Sequence, residues 1–164
     1  MDWLRIPERE VEISLAPVDR ASYVRFTQKT GRPVPPRSSS SASPVTQVSA
    51  AEALAFAAWL SQQDNCTYRL PTLDDLFALA DHARSGWQTG GAPAGEGEDM
   101  ARDDRRPLSE WLHCVLSQGD GHADLRCVAN PSWLRKSRRT STRGALREGR
   151  YAFVTFRLVR AQAE

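Results

Sequence analysis

The stretch Pro44–Ala80, PVTQVSAAEALAFAAWLSQQDNCTYRLPTLDDLFALA, decides how this chain is read, because it holds two helix signatures joined by one turn. Ser49 followed by Glu52 is a capping box: the serine hydroxyl accepts from a backbone N–H with no partner inside the helix, and the glutamate reaches back to the cap. A helix is expected from Ala50. Ala53, Phe56, Ala57 and Leu60 recur at helical spacing and give it one apolar face, on which the alanines let a neighbour approach closely. Asp64 and Asn65 end it. Tyr68–Pro71 reads as a short extended piece, since the residue before a proline is pushed out of the helical region. Thr72 then caps a second helix, with Asp75 in its first turn and Leu73, Leu76, Phe77 and Ala80 on its buried face.

Upstream, Val11, Ile13 and Leu15 alternate with Glu12 and Ser14, the period of a half-buried strand. Asp19 caps a helix that runs through Tyr23 and Phe26 to Gly31, where glycine suits the left-handed turn that follows. Residues 33–43 read as a loop, stiffened by three prolines and carrying a serine run that builds no core, with a mobile tip expected. Downstream, residues 86–107 are glycine-rich, acidic and irregular. Leu108–Leu116 and Leu125–Ala129 read as strands around a turn at Gly119–His122, with Trp111 in the core. Tyr151–Val159 reads as a last strand, apolar on both faces and hence central.

The order of these pieces resembles the formylglycine-generating, sulfatase-modifying-factor family. The resemblance rests on Pro44-Val45, Val48-Ser49, the alanine-rich helix ending in Trp59-Leu60-Ser61, and Tyr68-Arg69-Leu70-Pro71-Thr72. Ser109-Glu110-Trp111 is similar to the family's short strand ending in Glu-Trp. Phe156-Arg157-Leu158-Val159-Arg160 is similar to its terminal strand, with Thr155 where glycine is usual. The resemblance implies an α+β, C-type-lectin-like fold with two or three helices, short antiparallel strands and much irregular structure, as one domain over 1–164.

Length and composition agree. A chain of 164 residues buries enough surface for a core without disulfides, and Cys66, Cys114 and Cys127, odd in number and far apart, fit reduced thiols. No apolar stretch follows Met1 and no long apolar run occurs, so a cytoplasmic protein without a membrane span is expected.

The family's enzymes oxidise a substrate cysteine with a pair of cysteines that hold copper, in the loop before the terminal strand; soft thiolates select monovalent copper. The matching segment here, Pro131–Arg150, PSWLRKSRRTSTRGALREGR, contains no cysteine, and Asn130-Pro131-Ser132-Trp133 replaces the family's Gly-Gly-Ser-Trp entry. A non-catalytic member is expected, since a fold does not carry its chemistry once the site is gone. The iron-binding ergothioneine-type relatives use a separate helical domain for which there is no room.

Three alternatives remain for chemistry. Glu96, Glu98, Asp99, Asp103 and Asp104 supply the hard oxygens calcium prefers, but their spacing matches no calcium loop and Arg102, Arg105 and Arg106 offset them, so a solvated acidic loop and no cofactor are the preferred reading. His113, Cys114, His122 and Cys127 lie near one hairpin, but strand neighbours point to opposite faces, which argues against one metal. A divergent cysteine-oxidising oxidoreductase using Cys114 or Cys127 stays the runner-up.

Charge is the remaining signal. Arg126–Arg160 holds ten Lys or Arg against Glu148 alone, while the rest of the chain is net acidic, so the total of +2 hides a dipolar molecule. The expectation is an accessory or stabilising protein-binding module for a larger metalloenzyme with an acidic surface. The residues expected to bind that partner are Trp133, Arg135, Lys136, Arg138, Arg139 and Arg143, Trp133 as an apolar anchor and the cations as carboxylate clamps. The competing expectation is that these cations pair internally with the acidic stretch. Arg157 and Arg160, alternating with apolar residues, read as structural. Nucleic acid is disfavoured because aromatic residues among the cations are sparse.

Overall fold

The computed structural model describes residues 1–36, 40–88, 108–119, 122–129 and 142–161, the stretches 83–88, 114–119, 122–125 and 142–143 and residues 8 and 127 by backbone alone. Within them the chain runs β1 (Trp3–Ile6), a 3-10 turn (Pro7–Arg9), β2 (Val11–Ser14), α1 (Arg20–Thr30), α2 (Ala50–Asp64), β3 (Tyr68–Arg69), α3 (Leu73–Gln88), β4 (Ser109–Gly119), β5 (His122–Ala129), β6 (Thr142–Leu146), β7 (Val154–Thr155) and β8 (Val159–Ala161). The strands form two four-stranded sheets, ordered β1-β2-β8-β3 and β6-β5-β4-β7. All pairings are antiparallel except β4 with β7. No helix among the described residues is long and apolar enough to cross a membrane.

The helices start and stop where their caps say. Asp19 accepts from the backbone N–H of Ser22 at 2.7 Å, and α1 ends on Gly31 at φ 67°. Both arms of the Ser49–Glu52 capping box are made, and α2 ends on Asn65 at φ 51°. Thr72 Oγ1 accepts from Asp75 N at 3.2 Å while Asp75 accepts from Thr72 N at 2.7 Å, a reciprocal cap on α3. Ala53 and Ala57 are buried on α2, beside Phe56. Tyr23, Phe26, Phe56 and Phe156 pack as one aromatic group, the rings of Phe56 and Phe156 meeting edge-on at 5.5 Å between centroids. A second cluster joins Ile6, Ile13, Leu76, Phe77, Leu112 and Val159 beneath α3.

Three expectations need correction. Leu15 does not continue β2: it is 51% exposed, because the chain turns its Ser14 and Leu15 carbonyls inward to accept from Arg157 at 3.0 and 3.1 Å. The last strand is not continuous. Residues 156–158 leave the edge strand β7 of one sheet and enter the other as β8, held on the way by Val18 N to Phe156 O and Ser14 N to Leu158 O, both 2.9 Å. Both faces of this segment read apolar because it crosses the core between the sheets; only β8 is central. The basic segment is not loop throughout either, since β6 completes the ladder with β5. An edge strand tolerates the charge and glycine of TRGAL.

Arg157 links the two sheets. Its Nε and Nη2 meet both oxygens of Glu110 on β4 at 2.5 and 2.6 Å, and both residues are buried. A bidentate pair with two further carbonyls satisfies most of a guanidinium that would otherwise be costly to bury. The structural reading of Arg157 and of Arg160, which pairs with Glu12 at 2.5 Å, holds.

Candidate functional site

The basic segment is built on a hairpin. Ala129, fully buried at the end of β5, stands opposite Thr142 at the start of β6, so residues 130–141 connect two neighbouring positions of the sheet. Those twelve residues carry Trp133, Arg135, Lys136, Arg138 and Arg139 and no acid, and they lie outside the described residues. Arg143 is placed by backbone opposite Val128, on the strand at the sheet edge.

The far end of the segment is clamped to the start of α2. Arg150 grips Glu52 through two of its nitrogens, one at 3.1 Å from Oε2 and the other on Oε1, while the same Oε2 caps Ser49 N at 2.9 Å. Gln47 N donates to Tyr151 O at 3.1 Å, and Trp111 Nε1 to Val48 O at 2.9 Å. The Tyr151 hydroxyl accepts from Leu146 N at 3.2 Å, and a Cβ on Gly149 would stand 2.5 Å from that hydroxyl. Burial, with the Glu52 carboxylate nearby, pushes the Tyr23 phenol well above its ordinary range, so it stays neutral beneath this clamp. Arg150 therefore serves the fold. Its partner among the described residues is Glu52, a link the capping motif hid because it made Glu52 look fully employed.

The thiols sit elsewhere. Cys66, half-buried, places Sγ 3.3 Å from Ala161 O. Cys114 and Cys127 lie on the paired strands β4 and β5 within a bulged stretch: Trp111 faces Val128 and Val115 faces Arg126, so β4 spends four residue steps where β5 spends two. The register shift lies across His113 and Cys114, the pair for which simple in-out alternation is expected from the sequence. His113 is exposed, and its backbone N–H donates to Pro71 O at 2.8 Å. The side chains of Cys114, His122 and Cys127, and the whole of Glu96, Glu98, Asp99, Asp103 and Asp104, lie outside the described residues. Among the described residues no three His, Cys, Asp or Glu side chains gather as a metal site requires.

Two solved structures share this architecture. PvdO from Pseudomonas aeruginosa is 15% identical with a TM-score of 0.64, the match covering 93% of this chain and 80% of that one. CarF is 16% identical, also at 0.64, over 93% of this chain and 87% of its own. No curated protein matches the sequence. The sulfatase-modifying factor enzyme 1-like domain family matches residues 10–113, from β2 through the three helices to the Glu110-Trp111 strand. On that match, which spans more than half the chain, this protein belongs to the sulfatase-modifying factor enzyme 1-like domain family.

Proposed function

We propose that this chain is a non-catalytic, protein-binding member of its family, an accessory or stabilising factor that docks on the acidic surface of a larger metalloenzyme through residues 130–143. One observation carries the reading. The cations Arg150, Arg157 and Arg160, which come after the hairpin, each have a carboxylate of their own in Glu52, Glu110 and Glu12, whereas the four cations of 130–141 are strung without an acid between two paired positions on an edge hairpin. Clustered charge on a short connection steers encounter and sets orientation. The lack of any cysteine beyond Cys127 removes the thiolate pair that the family's oxidation chemistry needs in this segment.

The test is a native pull-down at low and moderate salt with wild type and a variant reversed at Arg135, Arg138, Arg139 and Arg143. The expected result is one stoichiometric partner, its binding weakened by about a hundredfold in a variant whose circular dichroism and melting are unchanged. No partner at either salt overturns the reading.

The bulge in β4 favours a second reading, a divergent cysteine-oxidising oxidoreductase, because it puts Cys114 and Cys127 in the same short stretch of two paired strands. Stoichiometric copper or iron in protein purified without added metal, lost in Cys114→Ser or Cys127→Ser, would establish it in place of the first.

A further inference from the structure

The basic hairpin leaves a second group of aromatic and cationic side chains without a role, and they meet in one place. Between β1, α1, α2 and β3 an open cleft of about 510 Å³ is lined by Trp3, Phe56, Trp59 and Tyr68, with Arg25 and Lys29 of α1 at its mouth. Its size falls in the range of about 300–1,000 Å³ common to small-molecule sites, and its make-up, aromatic walls with a few charged groups, is of the same kind.

The aromatic wall is held in place from behind. Trp3 leans on Tyr68 at 5.8 Å and Trp59 on Phe56 at 5.7 Å between centroids. The Arg160 guanidinium lies 4.5 Å over the Trp3 ring while Glu12 neutralises it at 2.5 Å, so this cation is already committed. The Tyr68 hydroxyl donates to Asp64 at 2.8 Å, and burial with that bond raises the phenol above its ordinary range, so both groups are engaged with each other.

The mouth is different. Ser22, Arg25 and Lys29 fall on one face of α1, which holds no acid at all. Arg25 reaches only the Ser22 hydroxyl, at 3.1 Å, and neither Arg25 nor Lys29 has a carboxylate partner among the described residues. Asp64, the one carboxylate lining the cleft, does not match their two charges. Half-buried indoles beside unpaired cations suit a ligand with a flat apolar body and a negative end.

We propose that this cleft binds a small organic anion with a planar apolar body, an aromatic carboxylate being the simplest, its ring against Trp3 and Trp59 and its carboxylate on Arg25 and Lys29. The site is independent of the hairpin and of any partner bound there.

Indole-3-acetate is a direct probe, followed through the indole N–H signals of Trp3 and Trp59 in ¹H–¹⁵N spectra, with indole and tryptamine as the uncharged and cationic counterparts. The expected result is a saturable shift of both signals with indole-3-acetate, binding by indole and tryptamine about tenfold weaker, and a similar loss in the Arg25→Gln/Lys29→Gln variant. Both substituted residues are exposed, and their removal breaks no ion pair of the described fold. No saturable shift up to about 10 mM, equal binding by indole or tryptamine, or undiminished binding by the variant overturns the proposal.

Discussion

Thr155 shows how one side chain can disagree with its surroundings. It is fully buried on β7 in register with Glu110, and its hydroxyl has no hydrogen-bond partner among the described residues. A buried hydroxyl without a partner costs about 1–3 kcal/mol, whereas an apolar group of the same shape does not. Thr155→Val is expected to stabilise the protein by about 1 kcal/mol in urea unfolding, and Thr155→Gly to destabilise it by a similar amount through chain entropy and lost packing. A valine variant less stable than wild type would mean that the hydroxyl is bonded. The sequence makes Thr155 visible as a departure from the family's glycine, but not its isolation, which depends on parallel pairing with a strand far earlier in the chain.

Among the elements, α3 has the most instructive beginning. Asp75 is fully buried, yet it accepts from the Thr72 N–H and hydroxyl and from Arg69 at 2.6 Å, and Arg9 lies 2.9 Å from its other oxygen. Burial alone would raise its carboxyl; the bonds from Arg69 and Thr72 more than offset that and hold it below the usual carboxylate range. A carboxylate whose folded value lies below its unfolded one, about 3.9, adds stability that is present above that pH and is lost as pH falls through the folded value. Asp75→Asn is expected to cost about 2 kcal/mol at pH 7 and to flatten the fall in urea stability below about pH 4. An acid profile parallel to wild type would place the dependence on another group. Caps of this kind were legible because they are local: Asp19, Ser49, Thr72, Gly31 and Asn65 act within a turn of their own helices. The strand β1, the bulge in β4, the edge strand β6 and the crossing at 156–158 were not, because partners distant in sequence decide each of them.

At the scale of the whole molecule, the charge asymmetry was readable from residue order, but the division of labour among the cations was not. It took the positions of Glu12, Glu52 and Glu110 to separate the arginines that build the fold from those of the hairpin. The same holds for the cleft, whose lining comes from several elements with no motif among them. The buried Arg157–Glu110 pair, tying β4 to the end of β2, is the clearest test of how the sheets depend on each other. Arg157→Lys and Glu110→Gln are each expected to lower stability by about 3 kcal/mol, since an ammonium cannot reproduce the fork and a lone buried charge is left uncompensated. The double variant should lose clearly less than the two losses added; simple additivity in urea unfolding would show that they act separately. The position of β8 between β2 and β3 reaches further still, into the making of the protein. A nascent chain that has not yet extruded residues 156–161 holds two strands whose shared neighbour does not exist, and its aromatic core lacks Phe156 and Leu158. Closure must wait for residues 156–161, so the nascent chain completes both sheets only once that segment has left the ribosome, and a message cut short before Phe156 yields a product left for proteases to clear.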